Sequence, residues 1–189
     1  MYLDKAILFG GDKMDDSIQD TFESVRTENL FLRIPKEEDL HSVFSIEGNP
    51  ATNKYRPAGP TKDINEAKET LKEWRNNWEI YGYGYWTVIL PSSSEIIGFG
   101  GIRRESWKNR NILNLYYRFS PRAWGRGYAT EVAGTAVKMA DVYLPNLPVV
   151  ARIRSINKPS IRVAERVGLQ HCSELDSTEH MVFTLKKGF

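Results

Sequence analysis

Residues 121–131 read PRAWGRGYATE, with glycines at 125 and 127, arginines at 122 and 126, and a run of helical spacing behind them. Glycine-rich turns that open helices bind anions, because successive backbone N–H groups point outward and the helix dipole reinforces them. A Walker-type phosphate loop needs a lysine after its last glycine, and none follows here. A dinucleotide fingerprint needs a third glycine, where this chain has Thr130, and an acid about 20 residues on, where the arginines of ARIR (151–154) stand. What remains is R-x-x-G-x-G at Arg122, Gly125 and Gly127, a turn suited to a pyrophosphate. Glycine at both positions leaves room for close backbone approach, although a plain strand-to-helix turn would use the same two residues for backbone freedom. A second pattern follows downstream, N-x-x-S-x-x-V-x-x-x-x-G-L, at Asn157, Ser160, Val163, Gly168 and Leu169.

The flanking sequence supplies elements to hold these two stretches. ENLFLRIP (28–35) alternates as a strand, and Leu40, Val43, Phe44 and Glu47 take helical spacing after the acidic turn KEED. After a loop broken by Pro50, Pro57, Gly59 and Pro60, a second helix runs through Ile64, Ala67, Leu71, Trp74 and Trp78. YWTVIL (85–90), IIGFGGIR (96–103) and NILNLYYRF (111–119) read as three successive strands, with RRESWKNR (103–110) as the second connection. Ala129, Val132, Ala133, Ala136, Val137 and Ala140 form a helical stripe of small residues that can lie close on a sheet. VVARIRS (149–155) is a strand, and 157–169 is a short helix with Asn157 as cap, Pro159 in its first turn and Gly168 at its end. Two closing strands follow. The fold class is α/β, one mixed and mainly antiparallel sheet with helices on its faces.

At 189 residues the chain suits one domain, read as 27–189, with 1–26 as an appended arm in which Met14 is an alternative start. Apolar residues at 41% and charged residues at 26% place it among ordinary globular proteins. No apolar run reaches the roughly 20 residues of a membrane span, and the opening MYLDKAILFGGDKMDD does not read as a secretory signal. The single cysteine, Cys172, reads as a core residue and fits a reducing compartment, the cytoplasm. A net charge of +2 gives no ground for nucleic-acid binding, but residues 101–130 hold seven basic side chains against Glu105 alone, a surface suited to a phosphorylated small ligand. His41, His171 and His180 are scattered and form no metal set.

Together the two motifs, with TENLFLRIPKEED (27–39), resemble the GCN5-related N-acetyltransferase family and its RimJ/RimL branch, over about residues 27–186. The resemblance implies an acetyl-coenzyme A donor, no metal, and a central strand pair that splays so that pantetheine runs between the strands. It places the cofactor against Tyr117, Arg118 and Phe119, with a main-chain N–H there as oxyanion donor. Arg122, Ala123, Trp124, Gly125, Arg126, Gly127, Tyr128, Ala129 and Thr130 then hold the pyrophosphate, and Asn157 and Ser160 meet the pantetheine arm and the leaving sulfur. The family's frequent tyrosine acid is replaced by Ala164, and its frequent glutamate base by Asn114. Glu179 and Glu105 are the remaining base candidates, with water chains as the alternative, while Glu131 serves structure. The implied acceptor is a primary amine, a protein N-terminus or a small molecule, and a homodimer is the candidate assembly. YGYGYW (81–86) and NPATNKYRPAGP (49–60) are candidate walls of its groove. A non-catalytic acyl-coenzyme A-binding module is the rival reading.

Overall fold

Runs rich in β-branched and aromatic residues become strands where a face can be buried, and here they do so around one sheet. The structure, a computed structural model, describes residues 16–185. Its strands are β1 (Ser24–Arg26), β2 (Phe31–Arg33), β3 (Tyr85–Leu90), β4 (Glu95–Trp107), β5 (Arg110–Phe119), β6 (Val149–Arg154), β7 (Gln170–His171) and β8 (His180–Thr184). The helices are α1 (Asp16–Phe22), α2 (Leu40–Glu47), α3 (Ile64–Tyr81), α4 (Tyr128–Tyr143) and α5 (Lys158–Arg166). The strands order as β1-β2-β3-β4-β5-β6-β8-β7, and every neighbouring pair is antiparallel except β5 with β6.

That parallel pair is joined only at Leu113–Val149 and Asn114–Val150. Beyond those two rungs each strand follows its other neighbour, β5 staying on β4 as far as Phe119 and β6 staying on β8 as far as Arg154. The expected splayed pair is therefore present, between β5 and β6. Side chains alternate across it. Odd-numbered residues Leu113, Leu115, Phe119, Ala151 and Ile153 pack with Ala133, Ala136 and Ala140 of α4. Even-numbered Tyr116 instead packs with Val43 and Ile46 of α2 and Trp74 of α3.

The remaining elements follow the sequence with three corrections. RRESWKNR is not a loop: β4 and β5 run through it, and the connection shrinks to Lys108 and Asn109, both left-handed (φ 49° and 60°), as a tight hairpin requires. YGYGYW is not a mobile groove wall. Gly82 ends α3 in the left-handed region (φ 72°), a Cβ on Gly84 would come 2.7 Å from the Trp78 ring, and Tyr83, Tyr85 and Trp86 are buried. Residues 16–26, part of the stretch read as an appended arm, pack on the domain: Phe22 is wholly buried, its ring stacks on Trp86, its carbonyl accepts from Trp86 Nε1 at 2.7 Å, and β1 pairs with β2. The rest of the 1–26 segment, with Met14, lies outside the described residues. Cys172, finally, is half-exposed rather than core.

Candidate active site

The parting of β5 and β6 opens a cleft of about 870 Å³. One wall is the end of β5 (Leu115–Phe119), the other β6 (Ala151–Arg154), the far rim is α5, and the turn into α4 closes one end. Tyr117, Arg118, Phe119, Ala123, Trp124, Gly125, Gly127, Tyr128, Ala129, Thr130, Asn157 and Ser160 line it together. Arg122 and Arg126 do not; both are exposed outside it.

Backbone geometry explains the glycine turn. Gly125 and Gly127 sit at φ 77° and 83°, a region that costs other L-residues roughly 1–2 kcal/mol. A Cβ on either would meet nothing within 4 Å, so conformation demands glycine and the space outside the turn stands open. Gly127 is the N-cap of α4 and no described side chain caps that helix, which leaves its first amides, on residues that line the cleft, without an intrahelical acceptor. Along β5, Leu113 N–H donates across to the Pro148 carbonyl at 2.9 Å. By alternation the amides of Leu115 and Tyr117 face the gap where β6 has departed, while that of Arg118 faces β4.

On α5, the Asn157 side chain accepts from Ser160 N–H at 3.3 Å, the cap expected of it. Tyr117 hydroxyl donates to the Ser160 carbonyl at 3.5 Å, and burial pushes its phenol up to about 12. It is therefore a neutral donor at physiological pH.

The opposite, even-numbered face holds a polar network that sequence reasoning missed. Buried Glu47 of α2 pairs with Arg118 at 3.0 Å and accepts from Tyr116 hydroxyl, while Arg118 also donates to Asn53 Oδ1. Burial, and next to it the Glu47 carboxylate, hold the Tyr116 phenol well above its ordinary value. Arg152 donates to Glu105 at 2.7 Å and to Asn114 Oδ1 at 3.3 Å, and Asn114 Nδ2 donates to Tyr85 hydroxyl at 2.6 Å. The even spacing of Asn114, Tyr116 and Arg118 inside a strand was the available signal, though not for their partners.

Neither base candidate lines the cleft. Glu105 stands behind Arg152, and Glu179 is exposed in the turn before β8. Glu131 is structural: its carboxylate accepts from Thr27 Oγ1 (2.5 Å), Asn29 N–H (2.8 Å) and Asn29 Nδ2 (3.0 Å). Burial raises its pKa, but those bonds outweigh it and leave the group below the usual value. Of the two stretches read as groove walls, the 49–60 loop lines the cleft, through Ala51, Thr52 and residues 54–57.

Among the described residues the lining contains no aspartate or glutamate, against Lys54, Arg56, Arg118, Arg152, Arg154, Arg162 and Arg166. Open glycine backbone and unpaired helix amides at one end, with Arg162 and Arg166 of α5 on the rim, fit a polyanionic ligand that ends in a slender arm between two strands. Among the described residues no group of histidine, cysteine and carboxylate side chains could hold a metal ion. No described helix is long and apolar enough to cross a membrane.

Comparison with known proteins agrees with this geometry. The model of the acetyltransferase (GNAT) domain matches residues 29–170. The uncharacterized protein YkkB of Bacillus subtilis (strain 168) is 28% identical over 145 residues, covering 77% of this chain and 84% of that one. The uncharacterized N-acetyltransferase p20 of Bacillus licheniformis is 24% identical over 149 residues, 78% and 83% of the two chains. The crystal structure of the acetyltransferase from Agrobacterium tumefaciens str. C58 superposes with a TM-score of 0.75 at 25% identity, over 87% of this chain and 94% of that one.

Proposed function

The chain belongs to the GNAT acetyltransferase family, and we propose that it moves the acetyl group of acetyl-coenzyme A directly onto a primary amine, the N-terminus of a protein or peptide in the RimJ/RimL manner. The observation that carries this reading is the cleft where β5 and β6 part, with the glycine turn and the first amides of α4 at its end. When bound, acetyl-coenzyme A supplies the acetyl thioester. The amides at the start of α4 and the left-handed turn at Gly125 and Gly127 bind its pyrophosphate. The Leu115 and Tyr117 amides, freed by the splay, offer hydrogen bonds to an extended arm and to negative charge developing on the acetyl oxygen. Asn157 fixes the first turn of α5, and Ser160 hydroxyl stands in the cleft to protonate the departing sulfur.

Starting from the ammonium form, transfer forms an N–C bond, breaks the C–S bond and removes two protons from nitrogen. One is released, and the other replaces the proton that Ser160 gives to the departing thiolate. Among the described residues, Glu47 and Glu105 are the carboxylates in contact with cleft-lining side chains, and each is held by an arginine. We therefore assign the released proton to water in the open cleft. The test is thiol release from acetyl-coenzyme A with pooled acceptors: short peptides with free N-termini, amino acids, polyamines and aminoglycosides. Release with the peptide pool supports the full reading. Release only with a small-molecule pool replaces the acceptor, and binding of cofactor with no release from any pool favours a non-catalytic acyl-coenzyme A-binding module.

A further inference from the structure

On the even-numbered face of the splayed strands the cleft is crowded with cations. Arg118 and Arg152 point there, Arg154 joins them two residues on, and His180 stands directly across from Arg154 on β8. Lys54 and Arg56 reach the same cleft from the 51–57 loop, which Asn53 ties to Arg118. Glu47 neutralises Arg118 and Glu105 neutralises Arg152. No carboxylate pairs with Arg56 or Arg154 among the described residues. Arg56 stands out, because it lines the cleft and its Nη1 is buried without a hydrogen-bond acceptor among the described residues. A buried guanidinium N–H in that state is costly, and an arriving anion removes the cost.

This cation set and the proposed phosphate site are carried by different elements. The loop that carries Arg56 is anchored on the even face, whereas the glycine turn opens α4, which packs on the odd face. Its ligand is then the second substrate. We propose that the acceptor carries an anionic group, a carboxylate, beside its amine, and that Arg56 binds it. Both a free amino acid and a peptide with an acidic first residue present this chemistry. A polyamine presents the opposite, and the same cluster repels it. The inference rests on the acetyltransferase reading above and narrows its acceptor.

The test uses matched acceptors that differ only in the anion: an amino acid against its amide, peptides beginning with aspartate or glutamate against asparagine or glutamine, and spermidine. Thiol release is followed at saturating acetyl-coenzyme A. The same compounds are titrated calorimetrically into the coenzyme A complex, so that discrimination is read even where turnover is slow. The anionic member of at least one pair should be favoured about tenfold or more, the size expected of one charge-assisted bond. Spermidine should rank below both members. Arg56→Gln should bring that ratio close to one through KM, with kcat and the coenzyme A Kd unchanged, and Arg56→Lys should restore part of it. The pair that responds distinguishes the amino acid from the acidic peptide. Preference for neutral or cationic acceptors, a ratio that survives Arg56→Gln, or loss of coenzyme A affinity in that variant overturns the proposal. Failure of the wild type to bind coenzyme A would overturn the acetyltransferase reading instead.

Discussion

Gly127 offers a perturbation in which shape and charge can be separated. Its φ of 83° suits asparagine and aspartate better than other L-residues, and a Cβ there enters open space. Gly127→Asn and Gly127→Asp should therefore fold alike, each losing about 1–2 kcal/mol to the left-handed backbone. For a chain of 189 residues that is a fall of roughly 2–8 °C in Tm, equal for the two variants. Only the aspartate places a negative charge beside the amides that open α4. Two unit charges about 5 Å apart repel by about 0.8 kcal/mol in bulk water and about 3 kcal/mol at an effective dielectric of 20. The aspartate variant should accordingly bind coenzyme A between about 4-fold and roughly 200-fold more weakly than the asparagine variant. Calorimetric titration at low and high salt reads the difference, which should shrink as salt screens the turn. Pantetheine, which lacks the phosphates, should not distinguish the two proteins. Equal coenzyme A affinities, or an equal gap with pantetheine, would refute the placement of pyrophosphate at this turn.

Four further outcomes follow from the packing and the ion pairs. Phe22→Ala should lower stability by about 3–5 kcal/mol in chemical denaturation; an unchanged midpoint would leave residues 16–26 as an arm. Burial raises the pKa of Asp39, but its bonds with Arg33, Lys36 N–H and Thr87 outweigh that and hold it below 3.8. It thus stabilises the fold fully above that value and progressively less as pH falls through its lower folded pKa. Asp39→Asn should cost about 3 kcal/mol at pH 7 and close on wild type in strong acid; a gap constant with pH would contradict the assignment. Ser160→Ala should lower kcat by about 100-fold with coenzyme A affinity retained, and equal losses in both would make the serine a helix-start residue only. With water as proton acceptor, the acidic limb of kcat/KM should follow the acceptor's own amine pKa and move when the acceptor is changed; a limb fixed across acceptors would reveal a protein base.

What was legible in the sequence was local. The turn at Gly125 and Gly127 and the cap at Asn157 are set by residues within a few positions of one another, so their spacing sufficed. The opening between β5 and β6 could be anticipated only from the family resemblance, because no residue in either strand forbids pairing; each is drawn away by its other neighbour. Tyr83 and Trp86 resembled a flexible aromatic stretch because glycine reads as freedom, whereas Gly84 is the only residue that leaves room for the Trp78 ring. The arginine pairs were invisible for a related reason. Glu47 looks like any polar residue on an amphipathic helix until the sheet brings Tyr116 and Arg118 against it. These contacts also bear on the chemistry. With Arg118 and Arg152 each held by a carboxylate, the cleft is cationic chiefly through Arg56, Arg154, Arg162, Arg166 and Lys54. A wall of that kind favours anions and disfavours a protonated amine. An acceptor that brings its own carboxylate resolves that conflict, since the anion anchors the molecule while the surrounding positive charge lowers the pKa of its ammonium group. Substrate choice and deprotonation would then have one cause, and a cleft with no free carboxylate among its described residues would still present the amine in its reactive form.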